Sequence, residues 1–141
     1  MKSLINPHVY TTDSPGATAA ASLEPLPTII QGGMGIAVSQ WRLAQAVSQA
    51  GQLGVISSTA LAIVLARRLQ DGDKEGHMRR AMSRFPVPEI ARRLLVEFFV
   101  PQGRAAGGDY RGVPMPAIQP GAAFVELTVM ANFVEVFLAK E

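Results

Sequence analysis

Between Pro27 and Ser57 the chain reads PTIIQGGMGIAVSQWRLAQAVSQAGQLGVIS, two short apolar runs separated by one amphipathic stretch. This order constrains the fold more than any other feature of the sequence. Thr28 to Gln31 is a β-branched run that begins after a proline and stops at Gly32, the pattern of a strand buried on both faces. Ser39 precedes QWRLAQAVSQA, where its hydroxyl is placed to accept an amide hydrogen bond from the first helical turn, and Gly51 offers a left-handed stop. Leu43, Val47 and Ala50, with Trp41 and Ala44 beside them, lay an apolar stripe along that helix. Leu53 to Ile56 reads as a second buried strand. Strand, helix and strand in this order form a βαβ unit, whose parallel strands need cover on both faces. The expected fold class is therefore α/β.

The rest of the chain reads mainly as helix. Ser58 or Thr59 is placed to cap ALAIVLARRLQ, which ends near Asp71-Gly72-Asp73. KEGHMRRAMSRF follows, and then a helix that starts at Pro88 and runs through PEIARRLLVEFF, with Ile90, Leu94, Leu95 and Phe98 on one side. Residues 100–121 carry five glycines and four prolines and read as a long irregular connection. In the last stretch Leu127, Met130, Val134, Phe137 and Leu138 fall at helical spacing, although the β-branched content also allows a strand over 132–138. Residues 1–26 mix Pro, Ser, Thr, Ala and Gly without periodicity and read as a flexible leader.

Composition narrows the function classes. With 141 residues and 48% hydrophobic content, the chain can bury one core. A net charge of +2 gives little ground for a nucleic-acid partner. The absence of cysteine excludes disulfides, thiolate metal sites and cysteine nucleophiles. No continuous apolar run reaches the roughly 18 residues of a membrane helix, and the N-terminus lacks the pattern of a signal peptide. The expectation is a cytoplasmic protein with no membrane partner.

Several residue groups are candidates for chemistry. A parallel strand that ends in Gly32, Gly33, Met34 and Gly35 brings bare backbone amides to the sheet's carboxyl edge, where α/β folds bind ligands. A tight turn without a ligand explains the same glycines, since GGMG is neither the dinucleotide fingerprint nor a Walker loop. Ser57, Ser58 and Thr59 hold the corresponding place after the second strand, either as ligand donors or as helix caps. DGDKEG imitates the start of a calcium loop, but its twelfth position is Met82, so it reads as a turn between helices. His8 and His77 have no partner at metal-ligand spacing. Arg67-Arg68, Arg79-Arg80 and Arg92-Arg93 suit either a basic patch or solvated helix faces. Glu126 and Glu135 read as surface or helix-pairing residues.

On residues 27–57 the chain resembles the nitronate monooxygenase family, formerly 2-nitropropane dioxygenases, and related FMN-dependent enoyl reductases. ARRLQDGDKEGHMRR, FPVPEIARR, FVPQGR and ELTVMANFVEVFLAKE extend the resemblance to the branch that includes trans-acting enoyl reductases of polyketide and polyunsaturated fatty acid synthases. The resemblance implies the opening of a (β/α)8 TIM barrel over 27–141, incomplete here, with a helical excursion after the second strand at about 60–121. It implies FMN against the backbone around Gly33 and Met34, in the loop where Gly32 and Gly35 are the further candidate cofactor contacts, with Ser58 standing where a glycine is expected. It implies an oxidoreductase acting on a nitronate with oxygen or, alternatively, on an enoyl thioester carried by an acyl carrier protein. The implied catalytic base and phosphate-binding glycines lie on later strands and match nothing here. An inactive remnant or interaction module, and a homo-oligomer formed through open strand edges, complete the expectations.

Overall fold

A computed structural model describes residues 26–113 and 116–141. The expected leader lies outside the described residues except for Leu26. Among the described residues five helices form the framework: α1 (Trp41–Gln49), α2 (Leu61–Gln70), α3 (His77–Met82), α4 (Pro88–Phe98) and α5 (Ala122–Ala139). The expected α/β class and the incomplete TIM barrel are both overturned, because the described residues contain no strand, only one parallel bridge between Ile30 and Leu53. The bridge is held by Leu53 N–H donating to Ile29 O (3.1 Å) and Gln31 N–H donating to Leu53 O (3.0 Å). The physical reason that it goes no further is Gln31. Its side-chain Nε2 donates to Val55 O (2.9 Å), and its Oε1 accepts from Val55 N–H (3.5 Å), so a side chain occupies backbone groups that a longer ladder would use. Nor is the pair buried on both faces, since Ile30 is 65% exposed.

Helix α5 organises the core and packs against all four other helices. Its Leu127, Met130, Val134 and Leu138 recur at the spacing of one helical face and are buried. Opposite them stand Leu61, Leu65 and Leu69 of α2, Met78 and Met82 of α3, and Leu94 and Phe98 of α4. Each such side chain contributes roughly 1.5–3 kcal/mol of burial. The strand alternative for 132–138 fails because these positions continue the same helix. Length and composition alone would let α5 cross a membrane. It also packs against the four other described helices.

A buried carboxylate fixes the bundle. Glu135, 2% exposed on α5, accepts the Trp41 amide at 2.7 Å and Arg68 Nη1 at 2.5 Å. Trp41 begins α1, where the first amides have no acceptor within the helix, and Gln40 supplies no side-chain cap. The anionic side chain of a different helix therefore caps α1 and meets its positive end. Arg68 also donates through Nη2 to Gln40 Oε1 at 2.5 Å, closing a ring among α1, α2 and α5. Ser39, expected to cap α1, is committed elsewhere. Ser58 and Thr59 do not cap α2 either, since Ala60 precedes it in a left-handed conformation with no side-chain cap.

The α2–α3 turn is the helix-to-helix turn expected of DGDKEG, and Asp73 builds it. Its carboxylate accepts the amides of Met78 (3.1 Å) and Arg79 (2.9 Å), together with Arg79 Nε (3.1 Å). The irregular connection after α4 is fastened to the end of α2. Gly72 and Gly103 approach so closely that a Cβ on either would lie 2.9 Å from backbone of the other segment. Gln70 Oε1 accepts the Arg111 amide (2.6 Å), and Tyr110 Oη donates to Asp71 (2.9 Å). Arg104 donates to both Asp71 and Tyr110, and its pKa is raised first by the Tyr110 hydrogen bond.

Replacing Glu135 with Ala leaves the Arg68 cation and the Trp41 amide without their acceptor. Urea unfolding should show a loss of about 3 kcal/mol, the range for breaking one side of a buried ion pair. Gly54→Ala should also destabilise, by about 2 kcal/mol, because its Cβ would fall 2.1 Å from Ala44 O and force α1 to shift. A loss under about 0.5 kcal/mol for either variant would contradict this packing.

Candidate functional site

The glycine loop follows directly from the Ile30–Leu53 bridge. Ser39 closes it: its hydroxyl accepts the Met34 amide (2.9 Å) and Gln31 Nε2 (2.9 Å), and it donates to Gly32 O (3.1 Å). Ser39 N–H donates to Met34 O (3.3 Å), and its own carbonyl accepts the Ser57 amide (2.9 Å). One buried serine therefore joins the start of the loop, its end and the segment after Leu53. The hydroxyl read as a helix cap is spent on this task, which is why α1 depends on Glu135.

The clamp leaves the loop's outer surface free. The amides of Gly32 and Gly33 meet no hydrogen-bond acceptor among the described residues. A Cβ added to Gly32 would meet nothing within 4 Å, and one on Gly33 would touch only Val55 Cγ1 at 3.8 Å. Gly35 has φ +23°, in the region that favours glycine. Met34 is 45% exposed, and Ile36 and Val38 beside it are also exposed. The structure thus gathers Gly32, Gly33, Met34 and Gly35 into one loop around Ser39. Ser58 is exposed in the neighbouring segment, where its carbonyl accepts the Leu61 amide. Its hydroxyl makes no hydrogen bond with the glycine loop among the described residues.

Gln31 and Ser39 are the residues that the sequence reading missed as site builders. A signal was present: an amide side chain just before two glycines, with a hydroxyl eight positions later, supplies donor and acceptor groups able to close the intervening loop. The paired arginines resolve into specific contacts. Arg68 holds Glu135, Arg79 holds Asp73, Arg80 holds Glu141 and Arg93 holds Glu126, so these four cations are each paired rather than pooled into a basic patch. Glu126 and Glu135 both pair helices, although Glu135 does so from within the core.

The described loop suits a flat, uncharged ligand face. It offers two open amides, bare α-carbons and a thioether, and the segment 31–39 contains no cation for a phosphate. No family model, curated protein or solved structure matches the chain.

Ser39→Ala removes all three hydroxyl hydrogen bonds while keeping the residue small. The expected result is a loss of about 1–2 kcal/mol in stability and faster exchange of the Met34 amide, measured by hydrogen exchange. Unchanged Met34 exchange would show that the hydroxyl does not hold the loop.

Proposed function

We propose that the Gln31–Gly35 loop is a contact surface for the ring of FMN, and that the chain contributes it to an oxidoreductase resembling nitronate monooxygenase. The observation that carries this reading is the combination of a clamped backbone and an open outer surface at Gly32 and Gly33. A loop held by Gln31 and Ser39 can receive a rigid aromatic ring without first being ordered, which lowers the entropic cost of binding. Gly32 and Gly33 admit the ring closely and offer amides to its polar edge, while Met34 supplies a polarizable contact.

When bound, FMN supplies the electron transfer, from a nitronate carbon to oxygen. The chain's own residues position the ring. No side chain in the loop is a base, so proton transfer is assigned to none of them. In the alternative reading, reduced nicotinamide is the electron source and an enoyl thioester on an acyl carrier protein is the acceptor. Both alternatives use a small-molecule substrate in the cytoplasm, without nucleic acid.

A second reading has its own observation. Ile29, Ile30 and Leu53 are exposed large apolar residues at the bridge, and the amide and carbonyl of Ile30 meet no backbone partner among the described residues. Such an edge accepts a strand from another chain, including a second copy, so an interaction module without flavin chemistry is the rival from another class.

The purified chain is mixed with FMN, freed of excess and read by visible absorption, alongside Gly33→Val. A Cβ at Gly33 meets only Val55 Cγ1, at an ordinary contact distance, and strains no left-handed backbone, so the substitution is aimed at the ligand rather than at folding. The expected outcome is retained flavin in the parent and affinity at least about tenfold weaker in the variant. No retention by the parent, or equal retention by both, overturns the assignment.

A further inference from the structure

The cleft bounded by the end of α2, the start of α3 and the 102–107 loop has a volume of about 570 Å³ and shares no lining residue with the glycine loop. Small-molecule sites typically span about 300–1,000 Å³. We propose that this cleft binds the phosphate group of a small molecule, with Lys74 and Arg42 as its principal cationic contacts.

The charges around the cleft differ in how far they are already committed. Among the acidic lining residues, Asp71 accepts Tyr110 and Arg104, Asp73 accepts two amides and Arg79, and Glu75 holds Arg42 and His77. Lys74, between Asp73 and Glu75, is exposed and forms no ion pair among the described residues. Among the described residues Arg42 touches Glu75 through Nη2 alone, and its guanidinium lies over the Trp41 ring at 4.5 Å. That stacking orients the fork while Nε and Nη1 keep free donors for an anion.

The 102–107 loop lines the same cleft and carries neutral donors. The amides of Ala105, Ala106 and Gly107 meet no acceptor among the described residues, and the backbone at Gly107 stands in open space. One lysine, one arginine and a run of amides across a cleft match the several acceptor oxygens of a phosphate better than a single carboxylate. The committed carboxylates nearby disfavour a long polyanion, so the ligand is small.

The probe is inorganic pyrophosphate, followed by amide NMR at constant ionic strength. Saturable shifts are expected at Lys74, Ala105, Ala106 and Gly107. Lys74→Gln and Arg42→Gln should each weaken binding about fivefold or more, the loss of one charge-assisted contact. Arg92→Gln removes an exposed cation outside the cleft and should leave binding unchanged. Absence of saturable shifts at these amides overturns the proposal, as does equal weakening by Arg92→Gln. Neither result bears on flavin retention by the glycine loop, which has no residue in this cleft.

Discussion

The Glu135 carboxylate is the interaction on which the rest of the structure depends. An ionised group in an apolar core is stable only when its charge and lone pairs are answered, and here the answers come from two directions. Arg68 supplies the countercharge from α2, and the Trp41 amide supplies a donor from the start of α1. The indole Nε1 of Trp41 finds no hydrogen-bond partner among the described residues, so this residue is anchored through its main chain and its packing. Because the carboxylate sits on the helix that touches every other helix, one side chain sets where α1 begins relative to the whole bundle.

That placement explains the glycine loop. With α1 capped by Glu135, Ser39 is released from the capping duty that its position suggests and can close the loop instead. Gln31 then replaces a stretch of backbone pairing with its own amide. The price is an abbreviated ladder: two extended segments joined at one bridge, with Ile29, Ile30 and Leu53 left exposed. Two paired segments alone have little independent stability in water, so this corner leans on α1 through Gly54, whose missing side chain lets the helix backbone come close. The same exposed edge explains why an interaction surface and a flavin surface compete as readings of one corner of the molecule.

Much of the helical framework was legible. The stretches beginning at Ala60, Lys74 and Pro88 carry continuous periodic apolar faces; the first and last form α2 and α4 with small shifts at their ends, whereas only the middle half of the Lys74 stretch forms α3. The α/β expectation failed because TII and LGVI satisfy a strand pattern locally, whereas a sheet is a property of hydrogen bonds between segments. Single-sequence periodicity does not reveal that a glutamine side chain will take up those bonds. The caps failed for a related reason: a serine before a helix looks the same whether its hydroxyl turns toward the helix or toward a loop. Glu135 was partly visible, since it lies eight positions after Leu127 on the face that also carries Met130, Val134 and Leu138. A carboxylate in that register signals a buried ion pair, but its partners, 67 and 94 positions earlier in the chain, are set by tertiary packing.

Native-state hydrogen exchange of the Trp41 amide tests the account most directly. A first-turn amide of an ordinary helix frays and exchanges quickly, whereas an amide held by a buried carboxylate opens only with the bundle. The prediction is that Trp41 exchanges as slowly as the central amides of α2 and α5, while Gly32 and Gly33 exchange close to the rate of an open chain. Fast exchange at Trp41, under conditions where α2 and α5 remain protected, would contradict the claim that Glu135 ties α1 to the core.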